Sequence, residues 1–108
     1  TMKILVCCNQ GNVRSVGMAL ILKKEGYEVL ACGISNHPDF KGRLSDETFK
    51  MLADWAEKII YLGDLPSGRL NNWKEKTIIV NIGIDRWGNP FHPELRDILN
   101  KKRKEMVL

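Results

Sequence analysis

Apolar residues run without a break from Ile4 to Cys8, with Lys3 ahead of them and Asn9-Gln10 behind. A run that does not alternate with polar positions marks a strand buried on both faces, and it predicts a first strand over residues 3–7. Beyond the loop that follows, Met18, Ala19 and Leu22 recur at helical spacing, and Gly26 stands where a helix C-terminal glycine belongs. A second β-rich run covers residues 27–32. Strand, loop, helix and strand in that order make a βαβ unit.

The rest of the chain repeats the alternation. Residues 36–42, with Pro38 and Gly42, read as a loop. Ser45 followed by Asp46 and Glu47 reads as a helix start, because a hydroxyl caps open amides and carboxylates favour the positive end. Phe49, Leu52, Ala53 and Ala56 give that helix its apolar face. Residues 58–62 predict a third strand, 65–73 an irregular segment or short helix broken by Pro66 and Gly68, and 77–82 a fourth strand. Residues 83–90 are rich in turn formers. Pro93 opens a last helix whose buried candidates are Leu95, Ile98, Leu99 and Met106. Strands alternating with helices imply a parallel sheet covered on both faces, an α/β/α sandwich. Ligands of such sheets bind at the carboxyl ends of the strands, which places Cys8, Arg14, Asp64 and Asp85 on one side of the molecule.

Composition narrows the class without changing this picture. With 108 residues, 44% hydrophobic and 28% charged, the expectation is a single domain over 1–108. No stretch reaches the roughly 20 apolar residues of a membrane span, and the run ending at Cys8 is too short for a signal peptide. The expected setting is cytoplasmic, with no membrane partner. The net charge of +4 owes much to Lys101-Lys102-Arg103-Lys104. That run is read as a solvated, dipole-complementing helix end with no nucleic-acid role. Three cysteines at positions 7, 8 and 32 form neither a disulfide framework nor a zinc spacing, so no metal and no cofactor is expected.

The chemistry sits in the first loop, Cys8-Asn9-Gln10-Gly11-Asn12-Val13-Arg14-Ser15. Six arginines and three cysteines in 108 residues would produce one Cys-x5-Arg spacing by chance about one time in six. Context lifts it above that rate, since the cysteine closes a strand and the arginine opens a helix. Gly11, Asn9 and Asn12 are residue types that tolerate left-handed backbone. A loop curling back before a helix turns successive amides inward and binds anions. Arg14 can fork two hydrogen bonds onto phosphate oxygens. A thiolate at such a helix start beside an arginine is stabilised, and Ser15 can donate to it. The same residues also admit a purely structural reading: a strand end, an exposed first-turn arginine and a capping serine.

With these residues in view, the chain resembles the low-molecular-weight protein tyrosine phosphatases. The resemblance runs from Lys3 to Ser15, through the second strand, and from Gly42-Arg43-Leu44-Ser45-Asp46-Glu47 to Ile59-Ile60-Tyr61-Leu62, with the region between Ser35 and Gly42 shortened. The loop also resembles that of Ssu72-type phosphatases. The resemblance implies a four-stranded parallel sheet of order 2-1-3-4 and a cysteinyl-phosphate intermediate. Catalysis would use Cys8, Arg14 and Asp85, with phosphate held by Asn9, Gln10, Gly11, Asn12, Val13, Arg14 and Ser15. The general acid of the family lies in an Asp-Pro-Tyr loop. Here that loop reads Asp85-Arg86-Trp87, and Asp64 is the fallback acid. Phe40 and Trp87 are the candidates to flank an aryl group. The expected substrate is a phosphorylated protein or a small phosphate ester, and the loop should take phosphate, sulfate or a similar oxyanion.

Three departures stand out. The glycine-asparagine pair sits one place later than usual, at Gly11-Asn12. Val13 replaces a second loop cysteine, and Val16 replaces the usual proline. Two alternatives share much of the pattern. The IIB phosphocarriers of sugar transport also phosphorylate a loop cysteine, and Cys8, Gly11 and Ser15 satisfy their spacing. A catalytically weak phosphate-binding module would keep the loop and lack the acid. No cysteine pair is placed as in the arsenate reductases of this fold.

Overall fold

The computed structural model describes residues 1–10, 12–35, 37–63 and 68–108. Strand β1 (Lys3–Cys8) is apolar and buried from Ile4 onward, because it lies inside the sheet and is covered on both faces. Its neighbours are β2 (Glu28–Gly33) and β3 (Lys58–Tyr61), and β4 (Thr77–Ile79) closes the outer edge. The four strands are parallel, in the order β2-β1-β3-β4. Successive side chains of β1 point to opposite faces. Ile4, Val6 and Cys8 pack with Met18, Ala19 and Leu22 of α1 (Arg14–Lys24) and with Leu95 and Leu99 of α3 (Pro93–Glu105). Leu5 and Cys7 pack with Phe49 and Ala53 of α2 (Asp46–Trp55) and with Leu70 of a 3-10 stretch, Gly68–Lys76. Two helical layers around one sheet give the expected α/β/α sandwich. Each fully buried Leu or Ile contributes about 1.5–3 kcal/mol, so a charged residue at position 5 or 6 would break the fold.

Local signals set most element ends. Ser45 Oγ accepts from Thr48 N at 3.1 Å and starts α2. Pro93 occupies the first turn of α3, with His92 Nδ1 accepting from Glu94 N. Gly26 ends α1 at a φ of 99°. At the basic end of α3, Arg103 holds the carboxylate of Glu25 at 2.6 and 2.8 Å.

The fourth strand departs from its predicted length. It stops at Ile79 instead of reaching residue 82. Its partner β3 ends at Tyr61, and the bond from Val80 N to Tyr61 O closes the ladder. Asn81 Oδ1 then accepts from Gly83 N and turns the chain, while Ile82 drops into the α1/α3 face. Residues 68–76 are a 3-10 stretch kinked at Trp73; the predicted irregular segment otherwise lies outside the described residues. Because all strands run the same way, their carboxyl ends share one edge. The loops after Cys8, Gly33, Tyr61 and Ile79 therefore start side by side.

Candidate active site

The loop after β1 leans on β2. Ile34 N donates to Cys8 O at 3.0 Å, and Ser35 N donates to Asn9 O at 2.9 Å. A trans peptide points its N–H opposite to its C=O, so these bonds turn the N–H groups of Asn9 and Gln10 away from β2. The approach is close enough to require a glycine. A Cβ on Gly33 would lie 2.5 Å from both the carbonyl carbon and oxygen of Gln10.

The loop then delivers the chain into α1 without a side-chain cap. Val13 is the N-cap residue and contributes no side-chain hydrogen bond, and the first turn holds no acid. Amides at the start of α1 are thus presented with the positive end of the helix dipole. Arg14 is 4% exposed. Its Nη1 donates to Leu62 O and to Gly83 O, the ends of the chain after β3 and β4. Those carbonyls fix the guanidinium at the strand edge. Ser15 is fully buried, and its Oγ lies 3.2 Å from Cys8 Sγ.

Cys8, Asn9, Gln10, Asn12, Val13 and Arg14 line a pocket of about 270 Å³ together with Ile84 and Asp85. The fold thus brings together residues from positions 8 to 85. Asp85 stands exposed at the rim. Its Oδ1 accepts from Trp87 N at 3.0 Å and Gly88 N at 3.3 Å, so one oxygen of the exposed carboxylate holds the turn. Gly11 and the fallback acid Asp64 lie outside the described residues.

The two aromatic candidates do not line this pocket. Trp87 is 7% exposed and packs in the α1/α3 core with Val13, Ile82 and Leu95. Arg86 covers its ring at 4.5 Å while pairing with Glu94. Phe40 folds over its own loop, its Cζ 2.9 Å from where a Cβ on Gly42 would stand. Large apolar rings are drawn into available core or onto neighbouring backbone. The apolar rim residue is instead Ile84, 64% exposed, which sequence reading passed over as part of a turn. It also missed Tyr61, whose hydroxyl donates to Asn9 Oδ1 at 2.9 Å.

The remaining cysteines face away from the site. Cys7 and Cys32 are paired residues of β1 and β2, with their sulfurs 3.6 Å apart on the α2 face. The hydrogen bond with Cys32 and burial push the Cys7 thiol well up, while that same hydrogen bond and the nearby Arg69 bring Cys32 down. Strand alternation separates the pair from Cys8, so neither can resolve an oxidised Cys8 without moving the sheet. A larger groove of about 650 Å³ lies between α1 and α3, lined by Leu20, Ile21, Lys24 and Phe91 among others. Its lining includes no cysteine, and chemistry, not size, favours the smaller pocket.

No family model matches the chain, and no curated protein matches it. Among solved structures, the fold is similar to the YwlE arginine phosphatase from Geobacillus stearothermophilus. The likeness covers 97% of this chain and 92% of that one, with a TM-score of 0.60 and 19% identity. At that identity the likeness shows the fold alone.

Proposed function

We propose that the chain is a phosphatase that works through a phosphorylated Cys8. The observation that carries this reading is one pocket joining Cys8, the uncapped start of α1, Arg14 and Asp85, with Ser15 Oγ 3.2 Å behind the sulfur. The Cys8 thiolate attacks phosphorus in line, forming the S–P bond as the bond to the leaving group breaks. Ser15 donates to the sulfur. The loop amides and Arg14 hold the three equatorial oxygens, where charge gathers. Asp85 carries the proton on Oδ2, because Oδ1 is engaged in the turn, and gives it to the leaving group. Water then attacks the phosphocysteine, Asp85 takes its proton, and the S–P bond breaks to release phosphate.

Within that class, resemblance to the tyrosine phosphatases supports a phosphotyrosyl protein as substrate. A second reading rests on the pocket walls. Asn9, Gln10, Asn12 and Asp85 are polar, and neither Trp87 nor Phe40 lines the pocket. Such walls suit a leaving group with its own hydrogen bonds, such as the guanidinium of a phosphoarginine. An N-phosphoryl substrate of this kind is what the name of the structural neighbour describes for that protein.

Hydrolysis of an aryl phosphate, a phosphotyrosyl peptide and a phosphoarginyl peptide by the wild type and by Cys8→Ser tests both levels. Turnover lost in Cys8→Ser is expected. Wild type inactive on all three would sink the phosphatase reading. A stable phosphocysteine without turnover would favour a carrier. The ratio of kcat/KM between the two peptides decides the leaving group.

A further inference from the structure

Tyr61 ends β3 in register with Cys7 of β1, and it is 2% exposed among the side chains of the α2 face. A phenol placed there must find a polar partner, because a buried hydroxyl without one is costly. Asn9, 52 residues away in sequence, is such a partner: its Oδ1 accepts from the hydroxyl at 2.9 Å. The reach depends on Gly63. Residues two apart on extended chain share a face, and the Tyr61 ring lies over position 63. A Cβ there would stand 1.9 Å from the phenol oxygen and 2.0 Å from Cζ. Glycine at 63 lets the ring lie along the chain toward the carboxyl edge.

We infer that Tyr61 is a positioning residue for the phosphate loop: its phenol holds Asn9, and with it the first peptide after the nucleophile. This rests on the phosphatase reading above. The Asn9 backbone carbonyl is held by Ser35 N and its side-chain carbonyl by Tyr61. The residue is clamped from β2 on one side and β3 on the other. With the carboxamide oxygen committed to the phenol, the orientation of the amide group is set as well. Donors fixed before the reaction stabilise transition-state charge without reorganising, and loosening them costs rate. Gly63 and Tyr61 thus act as one device, the first by leaving space and the second by filling it.

The test combines Tyr61→Phe, Asn9→Ala, the double variant and Gly63→Ala. Tyr61→Phe should lower kcat/KM for an aryl phosphate about tenfold, chiefly through kcat, and weaken orthophosphate binding about threefold. Its Tm should fall by less than about 5 °C. Asn9→Ala should do the same, and the double variant should be no worse than the worse single. Gly63→Ala should reproduce the loss by displacing the ring. Wild-type kcat/KM and phosphate affinity in Tyr61→Phe would overturn the inference, as would additive losses in the double variant. A wild type that neither turns over nor binds orthophosphate overturns both readings. A wild type that binds orthophosphate without turnover overturns only the phosphatase reading; the affinities of the variants, followed by the Asn9 and Gln10 amide signals, then decide the role of Tyr61.

Discussion

Replacing Gly33 by alanine perturbs the loop from Cys8 to Arg14 without touching any group of the proposed reaction. The new Cβ would sit 2.5 Å from the carbonyl carbon and oxygen of Gln10 and 2.9 Å from the carbonyl oxygen of Asn9. All three are backbone atoms and cannot swing aside as the tip of a long side chain can. Ordinary contact begins near 3.4 Å, so the loop must withdraw from β2 by about 0.9 Å. A displacement of that size in a catalytic constellation costs on the order of 100-fold in rate. The stability cost is smaller. Overpacking takes about 1–3 kcal/mol, and the loss of glycine freedom in the unfolded chain returns about 0.4–1 kcal/mol. A domain stable by about 5–15 kcal/mol stays almost wholly folded under a net loss of about 1–2 kcal/mol. The expected outcome is therefore a kcat/KM for an aryl phosphate lowered about 100-fold, with weakened inhibition by orthophosphate. Urea denaturation should place the variant only about 1–2 kcal/mol below wild type. Activity close to wild type would refute the reasoning, because the loop would then not depend on its contact with β2. So would an activity loss that matched the unfolded fraction.

Other outcomes follow from the same geometry. Asp85→Asn should lower kcat by about 10²–10³, and more for poor leaving groups than for good ones. Its Tm should stay near wild type, since the carboxamide oxygen can still accept from Trp87 N and Gly88 N; an unchanged kcat would move the acid elsewhere. Ser15→Ala should slow alkylation of Cys8 by iodoacetate and reduce kcat about tenfold, through loss of the hydroxyl 3.2 Å from the sulfur, which donates to it once the thiol is ionised; alkylation at the wild-type rate would count against that role. Asp54 is held below the usual carboxylate range by Lys50 and then by Trp73, whose Nε1 donates to it at 2.8 Å. Because its folded-state pKa is depressed, its contribution is present above about pH 4 and is lost as pH falls through the lower, folded value. Asp54→Asn should thus be less stable than wild type near neutral pH, with the gap in urea midpoints closing below about pH 4; a gap that widened in acid would reverse the sign.

Much of the fold was legible along the chain because its causes are local or periodic. The unbroken apolar run of β1 reflects burial on two faces. Ser45, Gly26 and Pro93 act within a single helical turn of themselves, so their positions alone place the ends of three helices. β4 was read three residues too long, because a strand stops where its partner stops. Ile78, Ile79, Val80 and Ile82 look alike in sequence, yet the ladder ends with Tyr61 and Asn81 turns the chain.

The site divides the same way. Cys8, Arg14 and Ser15 lie within one loop and one helical turn, and their spacing and place after a buried strand made them the candidates together. What the tertiary structure decided lies across the sheet. Trp87 could have flanked the pocket as a loop aromatic, but a vacant place in the α1/α3 core took its ring and left Ile84 on the rim. Gly33, Gly63 and Tyr61 shape the loop from strand ends and the residues just beyond them, 25 to 55 positions away from Cys8 in the numbering of the chain. Close approach and a single hydrogen bond at that range leave no periodicity behind. The opening segment by itself determined where Cys8 and Arg14 would stand, one at a strand end and the other at a helix start. Only the packing of β2 and β3 against that segment decided how the loop is held.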